Sequence, residues 1–70
     1  MTAAERIEAI RSHASEAASY GTGARLKVGY ARRALRCSEP LQAAACRHEA
    51  ARLARLAASH ARLALEGLQP

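Results

Sequence analysis

The chain has no phenylalanine, no tryptophan and no aspartate, and it has a single valine and two cysteines. Each shortage excludes something. The β-branched residues are Thr2, Ile7, Ile10, Thr22 and Val28 alone, too few and too scattered for a sheet. With no phenylalanine or tryptophan, half the residues are still hydrophobic, but 19 of them are alanine against 8 leucines and 2 isoleucines. Alanine removes little apolar area from water at roughly 25 cal/mol per Å², so a 70-residue chain of this kind builds a thin core.

Two cysteines do not make a disulfide framework. Cys37 and Cys46 flank the turn expected at Ser38-Glu39-Pro40. A hairpin closing there sets Cys46 opposite residue 32, an axial offset from Cys37 of roughly 7 Å. That offset is too large for an easy bond, so both read as free thiols. No run is apolar enough for a membrane span, because Arg or Glu interrupts throughout. The start MTAAERIEAIR carries acids and lacks an apolar h-region, so no signal peptide and a cytoplasmic location are expected.

Catalytic chemistry finds few materials. There is no nucleophile elbow and no glycine-rich loop after a strand, and GTGARLK lacks the spacing of a phosphate loop. His13, Cys37, Cys46, His48 and His60 are the metal-ligating types. In CRHE, Cys46 and His48 diverge by roughly 200° on a helix, and Cys46 and His60 lie about 21 Å apart along its axis. No enzyme activity, metal or cofactor is expected.

What the chain does have is helix formers: alanine, leucine, arginine and glutamate. Pro40 suits the first turn of a helix, with Ser38 or Glu39 as its cap. From Leu41 to Glu66 nothing breaks a helix, and Gly67 with Pro70 supplies a stop. Within it Ala43, Cys46, Ala50, Leu53, Ala57, His60 and Ala64 recur at 3-4 spacing, widened by Leu56 and Leu63. Arg52, Arg55, Ser59, Arg62 and Glu66 form the opposite polar stripe.

The N-terminal half repeats the pattern as Ala3, Ile7, Ile10, Ala14, Ala17, Gly21, Ala24, Val28, Ala31 and Leu35. The phase does not slip across Gly21-Thr22-Gly23, and a loop has no reason to keep heptad phase. Glycine costs about 1 kcal/mol in a helix interior, so residues 21–23 are the place for a kink. Gly21 falls on the seam and admits a close neighbour, while Gly23 does not. The expected fold is all-α: a single domain, residues 1–70, with one helix over 2–37, a turn at 38–40 and a second helix over 41–66. The rival is three helices, split at 20–24. Two helices alone cannot cover both apolar faces, so a homodimer in a four-helix arrangement is expected.

Charge is uneven. Residues 1–20 hold three glutamates and two arginines, and 37–70 hold four arginines and three glutamates. Residues 25–36 hold Arg25, Lys27, Arg32, Arg33 and Arg36 with no acid, a local charge equal to the whole chain's net +5. Leu26 and Tyr30 stand among these cations at i, i+4. Arginine and tyrosine around an apolar residue fit a protein-recognition patch. The same cations also fit nucleic-acid phosphates, either as a hairpin dimer or, on the three-helix reading, as a basic recognition helix over 24–37. That segment has no Asn or Gln to read bases, though its arginines suit guanine.

The helix–SEP–helix layout and the segment HEAARLARLAASHARLAL resemble small phage-encoded anti-activator proteins. That family targets bacterial quorum-sensing transcription factors and a type IV pilus assembly ATPase. The resemblance rests on architecture and composition over the whole chain. It implies a dimer that blocks an activator's DNA-binding surface, and it transfers no binding residue to this chain.

Overall fold

Two long helices and one tight turn follow from the local chemistry. In the computed structural model, which describes residues 1–69, α1 runs Ala3–Arg36 and α2 runs Pro40–Gly67. They pack antiparallel as a hairpin 54 Å long and 12 Å across in each other direction. Thr2 and Glu5 open α1 with a capping box: the Thr2 hydroxyl accepts from the Glu5 N–H at 3.1 Å, and the Thr2 N–H donates to Glu5 Oε1 at 3.2 Å. Gly21, Thr22 and Gly23 are helical and no glycine has a positive φ, so α1 is one helix and the three-helix reading falls.

The turn is a Schellman closure. The Glu39 N–H donates to the Ala34 carbonyl at 2.8 Å and the Ser38 N–H to the Leu35 carbonyl at 3.1 Å. Ser38 occupies the left-handed position that glycine usually fills, at φ 59°. It therefore ends α1. The backbone of Glu39 caps α2 without any side-chain bond, and Pro40 starts that helix as its composition predicts.

The buried residues are Ala31 and Ala34 from α1 and Ala43, Cys46, Ala50 and Ala64 from α2. No large side chain is fully buried. Along α2 the inward stripe is the one expected: Leu53, Ala57 and His60 are half-buried in line with the buried residues. Leu56 is half-buried at its edge, but Leu63 is 44% exposed.

Along α1 the stripe facing α2 is turned by one residue from the expected heptad. Ile10, Ala17, Ala24 and Ala31 are shared, but the alternating positions are Arg6, His13, Tyr20, Lys27 and Ala34, all half-buried or buried. Ile7, Val28 and Leu35 are left 51%, 40% and 48% exposed. Polar residues hold these inward places because each finds a partner there. Arg6 donates from Nε to the Gly67 carbonyl and from a terminal nitrogen to the Gln69 carbonyl, closing the C-terminal end of α2. His13 Nδ1 lies 3.0 Å from His60 Nδ1, and Tyr20 stacks on His60 at 5.6 Å between ring centroids.

The glycines follow this register. A Cβ on Gly23 would stand 3.3 Å from Leu53, so Gly23 makes room for α2, whereas Gly21 meets no α2 atom. Their expected roles toward α2 are exchanged. At the far end a Cβ on Gly67 would lie 2.7 Å from Ile10, while one on Gly29 would meet open space.

Three stability outcomes follow from these positions. Ser38→Gly relieves the left-handed φ and raises stability by about 0.5–1 kcal/mol. Gly29→Ala gains about 1 kcal/mol from helix propensity, while Gly67→Val loses roughly 1–3 kcal/mol by crowding Ile10. Thermal melts followed by circular dichroism at one protein concentration check the order: Ser38→Gly and Gly29→Ala above the parent, Gly67→Val below it.

Candidate functional site

The last three turns of α1 gather the charge. Arg25, Gly29, Arg32 and Arg36 follow one another at spacings of four, three and four, and Leu26, Tyr30 and Arg33 form the adjoining row. Together these seven residues line a shallow open cleft of about 430 Å³. Gly29 is its floor: it has no side chain, and nothing lies within 4 Å of where its Cβ would be. The cleft lies on the side of α1 turned away from α2, so folding of the hairpin leaves it uncovered.

Six of the seven expected binding residues meet there: Arg25, Leu26, Tyr30, Arg32, Arg33 and Arg36. Lys27 does not. It is half-buried on the α2 side of α1, near enough to Glu49 to help hold that carboxyl below its ordinary range. Its ammonium reaches to 5.8 Å from the Tyr30 ring centroid, and the Arg33 guanidinium stands at 5.9 Å. Two cations thus bracket one half-exposed ring.

Among the described residues the only ion pair is Arg52–Glu49, at 2.6 Å on the surface of α2. Its hydrogen bonds lower the Glu49 carboxyl and raise the Arg52 guanidinium from their ordinary values. The four arginines of the cleft have no such partner. Arg33 and Arg36 lie in the last turn of α1, where positive charge favours the helix dipole. Arg25 lies outside that turn and reaches back toward the Gly21 carbonyl at 3.5 Å. Arg32 makes no side-chain bond to another group of the chain among the described residues.

Guanidinium groups bind carboxylates and phosphates through paired N–H donors, and several in one cleft reinforce one another. Leu26, 55% exposed, and Tyr30, 46% exposed, supply apolar surface beside them.

The remaining clefts differ in character. One of about 550 Å³ runs along α2 past Ala44, Ala45, His48, Glu49, Arg52 and Arg55, with its single acid already paired. No cluster of three or more His, Cys, Asp or Glu that would hold a metal occurs among the described residues. Cys37 is exposed at the turn and Cys46 is buried, both as free thiols. No helix is long and apolar enough to cross a membrane among the described residues.

Sequence reasoning expected His60 on the seam, in a buried hydrogen bond or partly exposed, but it did not name His13 as the partner. The signal was present: Arg6, His13, Tyr20 and Lys27 recur at exact sevens beside the apolar heptad. No family model, curated protein or solved structure matches this chain.

Proposed function

We propose that this chain is a non-enzymatic regulatory protein of the cytoplasm, a homodimer in a four-helix arrangement, that binds an acidic surface of a larger protein and inhibits or redirects it. The observation that carries this reading is the cleft around Gly29: four arginines without acidic partners, flanked by exposed Leu26 and Tyr30. Isolated surface arginines serve solubility, but clustered ones beside an exposed ring offer paired carboxylate recognition and an apolar anchor together. The resemblance to phage-encoded anti-activators makes a bacterial transcription activator the first partner to try.

Nucleic acid is the second reading, favoured by the same arginines. Against it stand the apolar flank and the lack of Asn, Gln or an aromatic series for reading or stacking bases in 24–37.

Capture from a nuclease-treated host lysate, followed by titration of the purified partner, tests the proposal. Arg32→Glu and Tyr30→Ala each weaken partner binding by roughly tenfold or more while helicity stays unchanged, the size expected for an interface anchor. Random-sequence duplex DNA binds weakly by comparison. Tight DNA binding that falls steeply with salt moves the function to nucleic acid, and unchanged capture by both variants removes the cleft from the interface.

A further inference from the structure

Several of the large apolar residues that the α1–α2 seam leaves out share one side of the hairpin, while Leu26 and Tyr30 lie at the arginine cleft and Leu41 and Leu63 elsewhere. Ile7, Val28 and Leu35 lie on one long face of the hairpin with Ala14 and Gly21 at the same sevenfold spacing. α2 completes that face: Val28 and Ala24 share a cleft of about 370 Å³ with Ala50, Ala51 and Ala54, rimmed by Arg25 and Arg47, and Ile7 shares another with Leu68. Seven-residue steps from Ala51 and Ala54 continue it through Ala58, Ala61, Leu65 and Leu68.

Resting on the dimer reading above, we infer that this face is the surface on which a second copy docks, with α1 against α1 in opposite directions about a two-fold axis at the level of Gly21 and Ala54. Three observations support that occupant. The chain exposes 5243 Å², against about 4,250 Å² for a compact monomer of its 7.5 kDa mass. That excess of about 1,000 Å² comes from the rod shape, 54 Å long and 12 Å across, and is large enough to supply the share of about 800 Å² that one partner loses in a stable interface.

The face is also graded in size. Gly23 stands opposite Leu53 and His13 opposite His60, which places Gly21 level with Ala54. At that level the face is glycine and alanine, and the large side chains lie toward its ends: Ile7 and Leu68 at one, Leu35 at the other. Bundle helices crossing at about 20° touch at the middle and diverge outward, so small central and large terminal residues fill the gap between them. A two-fold at Gly21 sets Ile7 against Leu35 of the second copy and Ala14 against its Val28.

Charge chooses the direction. Alignment with the turns together brings two +5 stretches to the same end of a narrow bundle. The opposed alignment lays residues 25–36 of one chain along residues 6–17 of the other, where Glu8 and Glu16 balance Arg6 and Arg11. Gly29 and Leu26 face away from the interface, so the dimer carries two arginine clefts near its opposite ends, with Arg25 on the border between cleft and interface.

The test uses the full chain and its exposed thiol. Sedimentation reads the oligomeric state of the parent, Val28→Glu and Ala54→Glu, all three with helicity checked by circular dichroism. The expected result is a dimer whose dissociation constant rises by about 100-fold or more in each variant, because a two-fold buries every introduced carboxylate twice. A spin label on Cys37, in a Cys46→Ala background, then reads direction. Cys37 is sixteen residues from Gly21, about 24 Å of helix, so opposed chains give a label separation of about 50 Å.

A monomeric parent at micromolar concentration overturns the dimer itself, and with it this surface. Dimers that survive both glutamates overturn the surface while leaving the dimer. A label separation under about 25 Å overturns the opposed direction alone.

Discussion

The close approach of two alanine-lined helix faces is the constraint on which the rest of this structure depends. Ala31 and Ala34 meet a helix whose own buried positions are Ala43, Cys46, Ala50 and Ala64. Small side chains let backbones come near one another, at the short end of the usual 8–10 Å between helix axes. They also forfeit the area that leucine or phenylalanine would remove from water. A seam this shallow fully encloses none of the large residues the chain carries: Ile10, Tyr20 and Leu53 are half-buried along it, and the rest lie at its margins or outside it. What is exposed on this molecule is therefore a consequence of what its interior admits.

The same constraint explains why polar groups occupy inward positions. Where helices approach closely, a long side chain at the seam must run along it and find a partner at its tip. Arg6 does so at the carbonyls of Gly67 and Gln69, and Lys27 does so at the Tyr30 ring. His13, His60 and Tyr20 fill the middle with three flat rings in sequence, joined by one hydrogen bond and one stack. These contacts align the helices and fix their register more than they add hydrophobic energy. No half-buried or buried side-chain polar atom among the described residues is left fully enclosed without a partner.

How much of this was legible in the sequence depends on which helix is read. α2 was legible except at Leu63, which is exposed, because its inward stripe is apolar apart from His60 and its outward stripe charged, so one period settles both. The continuity of α1 through Gly21 and Gly23 was legible from the unbroken heptad. The facing of α1 was not. Its most apolar stripe, through Ile7, Val28 and Leu35, differs from its inward stripe, through Arg6, His13, Tyr20 and Lys27. Hydrophobic periodicity finds the stripe that water rejects most, but the α1–α2 contact was decided by fit to a narrow alanine seam and by polar partners some fifty residues away. Such partners leave no mark in local spacing. The arginine cleft, by contrast, was legible because helical spacing alone brings Arg25, Arg32 and Arg36 to one side, and only Lys27 departed from it.

That mismatch between the two stripes bears on function. A helix with one apolar stripe buries it and is finished, whereas α1 has an inward stripe satisfied by rings and cations and a second, more apolar one beside it. The outward position of Gly21, which meets nothing on α2, has no explanation within the hairpin. A glycine in a helix interior costs about 1 kcal/mol relative to alanine, and a contact across that point is what offsets such a cost. Gly23 has its contact in Leu53, and Gly67 has its own in Ile10. Gly21 meets only the Arg25 guanidinium, 3.8 Å from where its Cβ would stand, so a second backbone passing there would pack against Arg25 as well. The assembly proposed for the apolar face brings a second backbone to that level, and Arg25, which lines both that face and the arginine cleft, sits where self-association and partner capture meet.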